Sequence, residues 1–274
     1  LELLQVTGSF KPRGAINNVM HGHELQRGIT AFSAGNHAIA AAYAARIHQI
    51  PATVVMPRSA NSFRVNQCLQ QGAQIEYGED IAALLDIVER LQHNHGMTLV
   101  HPFEGEHTAA GTATLGLEFS EDAGALDAVL VPVGGGGLIA GVAAAFQQLQ
   151  PQCRVYGVEP EGAAGMCASL DQGGPVATVD VNTIADSLGA PMHTPYAFSV
   201  VSQCVHQMFQ VTDEDIKHAM RRLFQDMKLA VEPACAAALA ALLKYNDVFQ
   251  GRRVGIVACG SNIDLATYQS LLTS

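Results

Sequence analysis

The chain is short of basic side chains: 15 Lys and Arg stand against 25 Asp and Glu, a formal net charge of -10. A surface of that sign repels polyanions. It argues against nucleic acid and anionic membranes as partners, so any bound anion must be held locally. Long apolar runs are missing as well. The most apolar stretch, Ala234 to Leu243, is closed by Lys244 and falls well short of the ~20 residues that span a bilayer, so no transmembrane helix is expected. The six cysteines, at 68, 153, 167, 204, 235 and 259, show no Cys-x-x-Cys spacing; in a chain of 274 residues they read as reduced and mostly buried, which points to the cytoplasm. Leu1 is not followed by a basic and apolar leader, so no signal peptide is expected. With 49% hydrophobic and 15% charged residues, the composition suits a globular chain of one large or two modest domains.

What the sequence does contain is organised around Val131-Pro132-Val133-Gly134-Gly135-Gly136-Gly137-Leu138, an apolar strand, four glycines and the start of an Ala-rich helix. Glycines remove every Cβ from such a turn, so successive backbone N–H groups converge on one anion while the helix N-terminus adds partial positive charge. A lone glycine cluster more often serves close packing; four in a row at a strand-to-helix junction favour a phosphate cradle. The nucleoside-triphosphate pattern Gly-x-x-x-x-Gly-Lys-Ser/Thr is absent, because Leu138 and Ile139 follow the glycines. A dinucleotide site stays open on this stretch alone, since Glu159 lies about twenty positions on, where the ribose-binding acid would stand.

Short β-branched runs alternate with longer Ala- and Leu-rich segments, the pattern of parallel α/β. Strands are predicted at Ile29 to Phe32, Ala52 to Met56, Gln74 to Tyr77, Thr98 to Val100, Ala128 to Val133, Arg154 to Val158, Met208 to Val211 and Val254 to Ala258. Helices are predicted near 36–48, 61–71, 79–94, 107–120, 137–148, 213–227, 233–246 and 263–272. The stretches His101 to Glu106 and Gln172 to Tyr196 read as irregular, the places for a domain seam or an active-site loop.

Two further segments carry chemistry. Lys11 sits among small residues and Phe10 in Thr7-Gly8-Ser9-Phe10-Lys11-Pro12-Arg13-Gly14-Ala15. A lysine that forms a Schiff base needs a neutral amine, which burial favours; on its own Lys11 reads more readily as a surface lysine. Ser33-Ala34-Gly35-Asn36-His37 lies between a strand and an Ala-rich helix, a second helix-N-terminal anion site or a simple helix cap.

Together these segments, with Glu232-Pro233 and Cys259-Gly260-Ser261-Asn262, resemble the fold-type II pyridoxal-phosphate enzymes, in the serine/threonine dehydratase branch that includes serine racemase. The resemblance covers essentially the whole chain. It implies two three-layer parallel-sheet domains of the tryptophan synthase beta-like kind, a small domain at 26–103 carrying the Asn loop and a large cofactor domain from 1–25 and 104–274. Lys11 would be the Schiff-base lysine and the catalytic base. Phe10, Asn36, Gly134, Gly135, Gly136, Gly137, Leu138, Glu232, Cys259 and Gly260 would hold pyridoxal phosphate, Asn36 at the 3′ oxygen and Cys259 facing the pyridine nitrogen. Ser33, Ala34, Gly35, Asn36 and His37 would receive the substrate carboxylate.

The implied reaction is loss of water from L-threonine or L-serine by β-elimination, giving 2-oxobutyrate or pyruvate and ammonia. A 3-hydroxyaspartate dehydratase, a serine racemase-like enzyme and a non-catalytic binding relative are the alternatives. Racemases resembling this chain carry a serine at the position of Ala34, so racemisation lacks its second acid/base here. Metal-dependent members place an Asp where this chain has Gly165, which leaves Glu159 and the Ala163 carbonyl as candidate Mg²⁺ ligands, one carboxylate short. A homodimer is the family's expectation.

Overall fold

The computed structural model of the chain describes residues 1–22 and 25–273; positions 23 and 24, within the expected large-domain segment 1–25, lie outside the described residues. Eight strands form two four-stranded parallel sheets. The first contains β1 (Ile29–Phe32), β2 (Ala52–Pro57), β3 (Gln74–Gly78) and β4 (Thr98–Leu99) in the order β3-β2-β1-β4. The second contains β5 (Ala128–Pro132), β6 (Arg154–Pro160), β7 (Gln207–Val211) and β8 (Val254–Ile256) in the order β7-β6-β5-β8. Every predicted strand is present, with ends shifted by up to two residues.

The helices are α1 (Lys11–His21), α2 (Asn36–Ile47), α3 (Ser62–Gln70), α4 (Ile81–His95), α5 (Glu106–Ala123), α6 (Gly137–Leu149), α7 (Gly165–Gln172), α8 (Pro195–Cys204), α9 (Asp213–Met227), α10 (Pro233–Lys244), α11 (Asn246–Phe249) and α12 (Leu265–Thr273). Four of them, α1, α7, α8 and the single turn α11, were not expected. In α1, Pro12 and Gly14 fall in the first turn and lower helix propensity; Pro12 is tolerated there because its missing N–H would have no partner. α7 is a single short helix of eight residues, and α8 is rich in β-branched and aromatic side chains, so neither carries a strong periodic signal.

The two cores follow from side-chain periodicity. Along β2, Val54 and Met56 pack into the cluster under α2, while Val55 points to the opposite face and packs with Leu84, Val88 and Leu91 of α4. α2 is apolar on nearly every face and is correspondingly buried from Asn36 through Ala42. In the second sheet Leu130, Val131, Val155 and Val158 share a core with Ile139 and Phe146 of α6 and with the Ala-rich α10. Glycines let helices approach closely: a Cβ on Gly111 of α5 would lie 2.3 Å from the Arg13 carbonyl oxygen in α1, and one on Gly141 of α6 would lie 2.2 Å from Thr112 Oγ1 in α5.

These topologies fix where a site can form. In each sheet the chain direction of winding reverses once, between β1 and β4 in the first and between β5 and β8 in the second. Loops leaving the carboxyl ends of strands at such a reversal splay apart and open a crevice. Those four loops are residues 33–36, 101–105, 133–136 and 257–264.

Candidate active site

All four loops meet in one cleft, lined by Phe10, Lys11, Asn36, His37, His101, Pro102, Phe103, Gly134, Gly135, Gly136, Gly137, Leu138, Ser187, Glu232 and Cys259. Lys11 reaches it because the segment before α1 runs back along the loop after β8. Leu3 N donates to Ala258 O at 3.0 Å, Phe10 N to Cys259 O at 3.0 Å and Ser261 N to Gly8 O at 2.8 Å. Gly8 makes this possible with φ +73°, a conformation that disfavours a side chain. Arg13 of the same motif turns away from the cleft: its guanidinium bonds Glu2 and Glu118, each at 2.6 Å, and so ties α1 to α5.

Lys11 Nζ donates to the Pro102 carbonyl at 2.6 Å and lies 5.1 Å from the centre of the Phe10 ring. Burial lowers its pKa from 10.5 to about 8, which keeps a fraction of the amine neutral near neutral pH. Two neutral imidazoles stand beside it. Burial lowers His37 to about 3 and His101 to about 4. His37 Nε2 bonds the Val100 carbonyl at 2.7 Å, and His101 Nδ1 accepts from Glu104 N at 2.9 Å.

The glycine loop and the Asn loop are two helix N-termini aimed into the cleft without side-chain caps. Helices α3, α4 and α9 are capped by Asn61, Asp80 and Thr212, whereas α2 and α6 begin behind Gly35 and Gly136. The uncapped amides are left for a ligand. Gly136 has φ +91°, and a Cβ on Gly135 would lie 2.3 Å from the Phe103 ring, so the Phe103 ring closes over the turn. Ser33 Oγ accepts from Gly35 N at 3.0 Å, which folds the Asn loop and leaves the Ser33 hydroxyl proton to donate. Ala34 supplies no acid or base.

Asn36 is locked on both ends of its amide. Its Nδ2 donates to Glu232 Oε1 at 2.7 Å and lies 3.5 Å from Ser187 Oγ; its Oδ1 accepts from Asn262 Nδ2 at 2.7 Å. Glu232 is 1% exposed, burial raises its pKa to about 7, and its Oε2 has no hydrogen-bond partner. Gly260 packs against it, since a Cβ there would lie 2.6 Å from Glu232 Oε1. Cys259 keeps its proton, because a hydrogen bond with Cys235 and burial push the thiol well above its ordinary value.

These features fit pyridoxal phosphate on their own chemistry: a Cβ-free cradle at a helix N-terminus for the phosphate, a buried amine of lowered pKa, and a polar wall with an unpartnered carboxylate oxygen. They do not fit a divalent cation. Both oxygens of Glu159 accept backbone N–H groups at the start of α7, from Met166 at 2.7 Å and from Cys167 at 2.9 Å. Burial raises the Glu159 pKa to about 7, against the lowering pull of these two backbone donors. Ala163 is buried nearby, but Gly165 offers no carboxylate, and a Cβ there would lie 2.5 Å from His193 Nε2. Hard cations take 6–8 oxygen ligands, and no cluster of three or more His, Cys, Asp or Glu is placed to hold one among the described residues. In this structure Glu159, one of the candidate pair with Ala163, serves as a cap at the start of α7. Adding MgCl₂ or EDTA is expected to leave the melting temperature unchanged; a rise with Mg²⁺ that EDTA reverses would contradict this.

Some cleft residues lie in the two stretches that the sequence marked only as irregular, His101 to Glu106 and Gln172 to Tyr196. His101 to Phe103 stood only as an irregular loop, and Ser187 enters the cleft because Thr183 Oγ1 and Ile184 N bond Asp213 at 2.6 and 3.1 Å, folding the preceding stretch onto α9. Both are contacts between distant segments. No helix among the described residues is long and apolar enough to cross a membrane.

Comparison with known proteins agrees with this geometry. A family profile described as pyridoxal-phosphate dependent enzyme matches residues 1–260. The chain is 49% identical to a phenylserine dehydratase of Ralstonia pickettii over 271 residues, covering 98% of this chain and 83% of that protein. It is 39% identical to an L-threo-3-hydroxyaspartate ammonia-lyase of a Pseudomonas species, over 99% of this chain and 86% of that one. Among solved structures, maize serine racemase superposes with a TM-score of 0.93 at 34% identity, over 100% of this chain and 85% of that one. The chain belongs to the family of pyridoxal-phosphate-dependent enzymes.

Proposed function

We propose that the protein is a dehydratase that removes water from a β-hydroxy-α-amino acid with an uncharged β-substituent, giving a 2-oxo acid and ammonia. L-threonine, L-serine and phenylserine fall in this class. The observation that carries it is the make-up of the cleft wall. Among the described residues Lys11 is the one cationic side chain lining it, while His101 and Phe103 stack edge to face at 4.7 Å and His101 packs on Phe32 at 5.5 Å. A 3-hydroxyaspartate substrate would bring a second carboxylate to a wall with no cation to receive it, at a high desolvation cost. The aromatic wall suits a methyl or phenyl group instead.

Pyridoxal phosphate, when bound, supplies the electron sink for charge developing at the substrate Cα. The residues around it do the rest. The amides of Gly134 to Gly137 and the start of α6 at Leu138 would hold the phosphate; Phe10, Asn36, Glu232 and Gly260 would set the ring. The protonated Cys259 thiol would offer the ring nitrogen only a weak donor, and the bound group would then supply a shallow electron sink, a setting that favours prompt loss of a β leaving group. Ser33, Gly35 and the first amides of α2, with Asn36 and His37, take the substrate carboxylate. Lys11 Nζ, its pKa near 8, takes the Cα proton. The β-hydroxyl leaves as water, and the released enamine hydrolyses to the 2-oxo acid and ammonia.

Ala34 argues against a racemase, because no group on that loop position delivers a proton to the opposite face of Cα. The same reading takes residues 26–103 as a small domain closing on the rest, and expects a homodimer in the cytoplasm, where six free cysteines persist. A panel of phenylserine, L-threonine, L-serine and 3-hydroxyaspartate, assayed for 2-oxo acid and ammonia in equal amounts, tests it. Turnover is expected with the first three and to be weakest with 3-hydroxyaspartate. Binding without turnover would instead identify a non-catalytic relative.

A further inference from the structure

One side chain, Arg64, stands behind the partners of the Asn36 amide: it bonds Asn262, approaches Glu232 and pairs with the residue beside Ser187. The three partners are Ser187, Glu232 and Asn262. Arg64 forms a two-pronged ion pair with Asp186, the neighbour of Ser187, with Nη2 3.2 Å from Oδ1. Its Nη2 stands 3.9 Å from Glu232 Oε2, the carboxylate oxygen with no hydrogen bond of its own. Its Nε donates to the Asn262 carbonyl at 3.1 Å. The Asn loop lies directly on the guanidinium, since a Cβ on Gly35 would be 3.2 Å from Nη1.

Arg64 belongs to α3, which packs on α2 and β3 of the first sheet, while Asp186, Glu232 and Asn262 all follow strands of the second. A surface arginine keeps its head in water; the Arg64 side chain is only 9% exposed. Its rigid planar fork of donors is suited to holding several acceptors at fixed angles, which a lysine cannot do. A second tie runs beside it, Asn61 Nδ2 to Asp264 Oδ2 at 2.7 Å. Arg64 is not among the residues that line the cleft and reaches it through the Asn loop and its partners.

We infer that Arg64 is a positioning residue that fastens the Asn36 loop to the second sheet and so sets the geometry in which the loop receives the substrate carboxylate. The kinetic part of this inference rests on the proposed dehydratase reading; the structural part does not. The test is hydrogen exchange on the cofactor-free chain, read by mass spectrometry, together with KM and kcat for phenylserine, on Arg64→Gln, Arg64→Lys and Asp186→Asn.

In Arg64→Gln, exchange over residues 33–38 is expected to accelerate by about 10-fold or more while β5 is unchanged, because a local opening has been made easier without loosening the core. KM is expected to rise by about 10-fold or more with kcat changed by less than about 3-fold, the pattern of lost binding rather than lost chemistry. Arg64→Lys restores part of both. Asp186→Asn, which leaves the buried guanidinium in place, shifts both in the same direction by less. Unchanged exchange at 33–38 would overturn the inference, as would equal acceleration at 33–38 and in β5, which marks a merely structural residue. A wild-type chain with no turnover would sink the dehydratase reading, and the exchange measurement would still decide the role of Arg64.

Discussion

Lys11→Met is expected to abolish turnover, by at least about 10⁴-fold, the upper range for removal of a positioned proton-transfer group, and at the same time to stabilise the cofactor-free protein at neutral pH. The two effects have one cause. The amine sits where an ammonium is poorly solvated, so its pKa falls from 10.5 to about 8. For a base, a folded-state pKa below the unfolded value means that folding is opposed wherever the group must carry its proton. The opposition is complete below about pH 8 and is relieved as pH rises from 8 to 10.5. A shift of this size corresponds to about 3 kcal/mol. Met fills similar volume without charge, so the variant should melt higher than wild type at pH 7, and its advantage should shrink as pH climbs past 8. Melting temperature across this range, measured without cofactor, checks it. An advantage over wild type no larger at pH 7 than at pH 10 would contradict the buried-amine account even if activity is lost.

The second large effect is expected at the glycine loop. In Gly137→Ala a Cβ would lie 2.7 Å from the Phe103 Cα and 2.8 Å from its carbonyl oxygen, both backbone atoms that cannot rotate aside. Overpacking of this kind typically costs about 1–3 kcal/mol. Here the strain falls on the first residue of α6, whose N–H is proposed above to hold the phosphate, so the loss should appear as about a 10- to 100-fold weaker affinity for pyridoxal phosphate. Gly124, beyond the end of α5, has no atom within 4 Å of an added Cβ, but its φ is +65°; Gly174, with open space and no such backbone demand, is the fair control. Gly174→Ala should bind cofactor as wild type does. Equal affinity in Gly137→Ala and wild type, by titration of the cofactor, would show that the loop is a packing turn only.

Much of the architecture was legible because strands and helices in parallel α/β proteins advertise themselves by runs of similar residues. Ile29 to Phe32 and Ala128 to Pro132 are apolar on both faces because helices cover both, and α9 announced its start with Thr212 and Asp215, which form a reciprocal capping box in the structure. The site was legible where it depends on backbone: four glycines behind β5 and the Asn loop behind β1 must lie at strand ends, and strand ends at a reversal of winding must face one crevice.

What escaped the sequence depends on partners far along the chain. Arg64 looks like any polar residue on an amphipathic helix until Asp186, more than a hundred residues later, is folded against it. Glu159 sat at a spacing that admitted a ribose or a cation, and only the position of α7 shows its oxygens already engaged by two amides. His193 could not be connected with Gly165 by any local rule, yet it fills the space that a carboxylate there would need.

The central claim is that Lys11 carries the cofactor in this cleft, and it can be tested on a single residue. The protein is incubated with pyridoxal phosphate, treated with borohydride to make the covalent link permanent, and digested for mass spectrometry. The account predicts a phosphopyridoxyl label on the peptide containing Lys11, absent from Lys11→Met. A label on another lysine such as Lys217, Lys228 or Lys244, or no label at all, would contradict it.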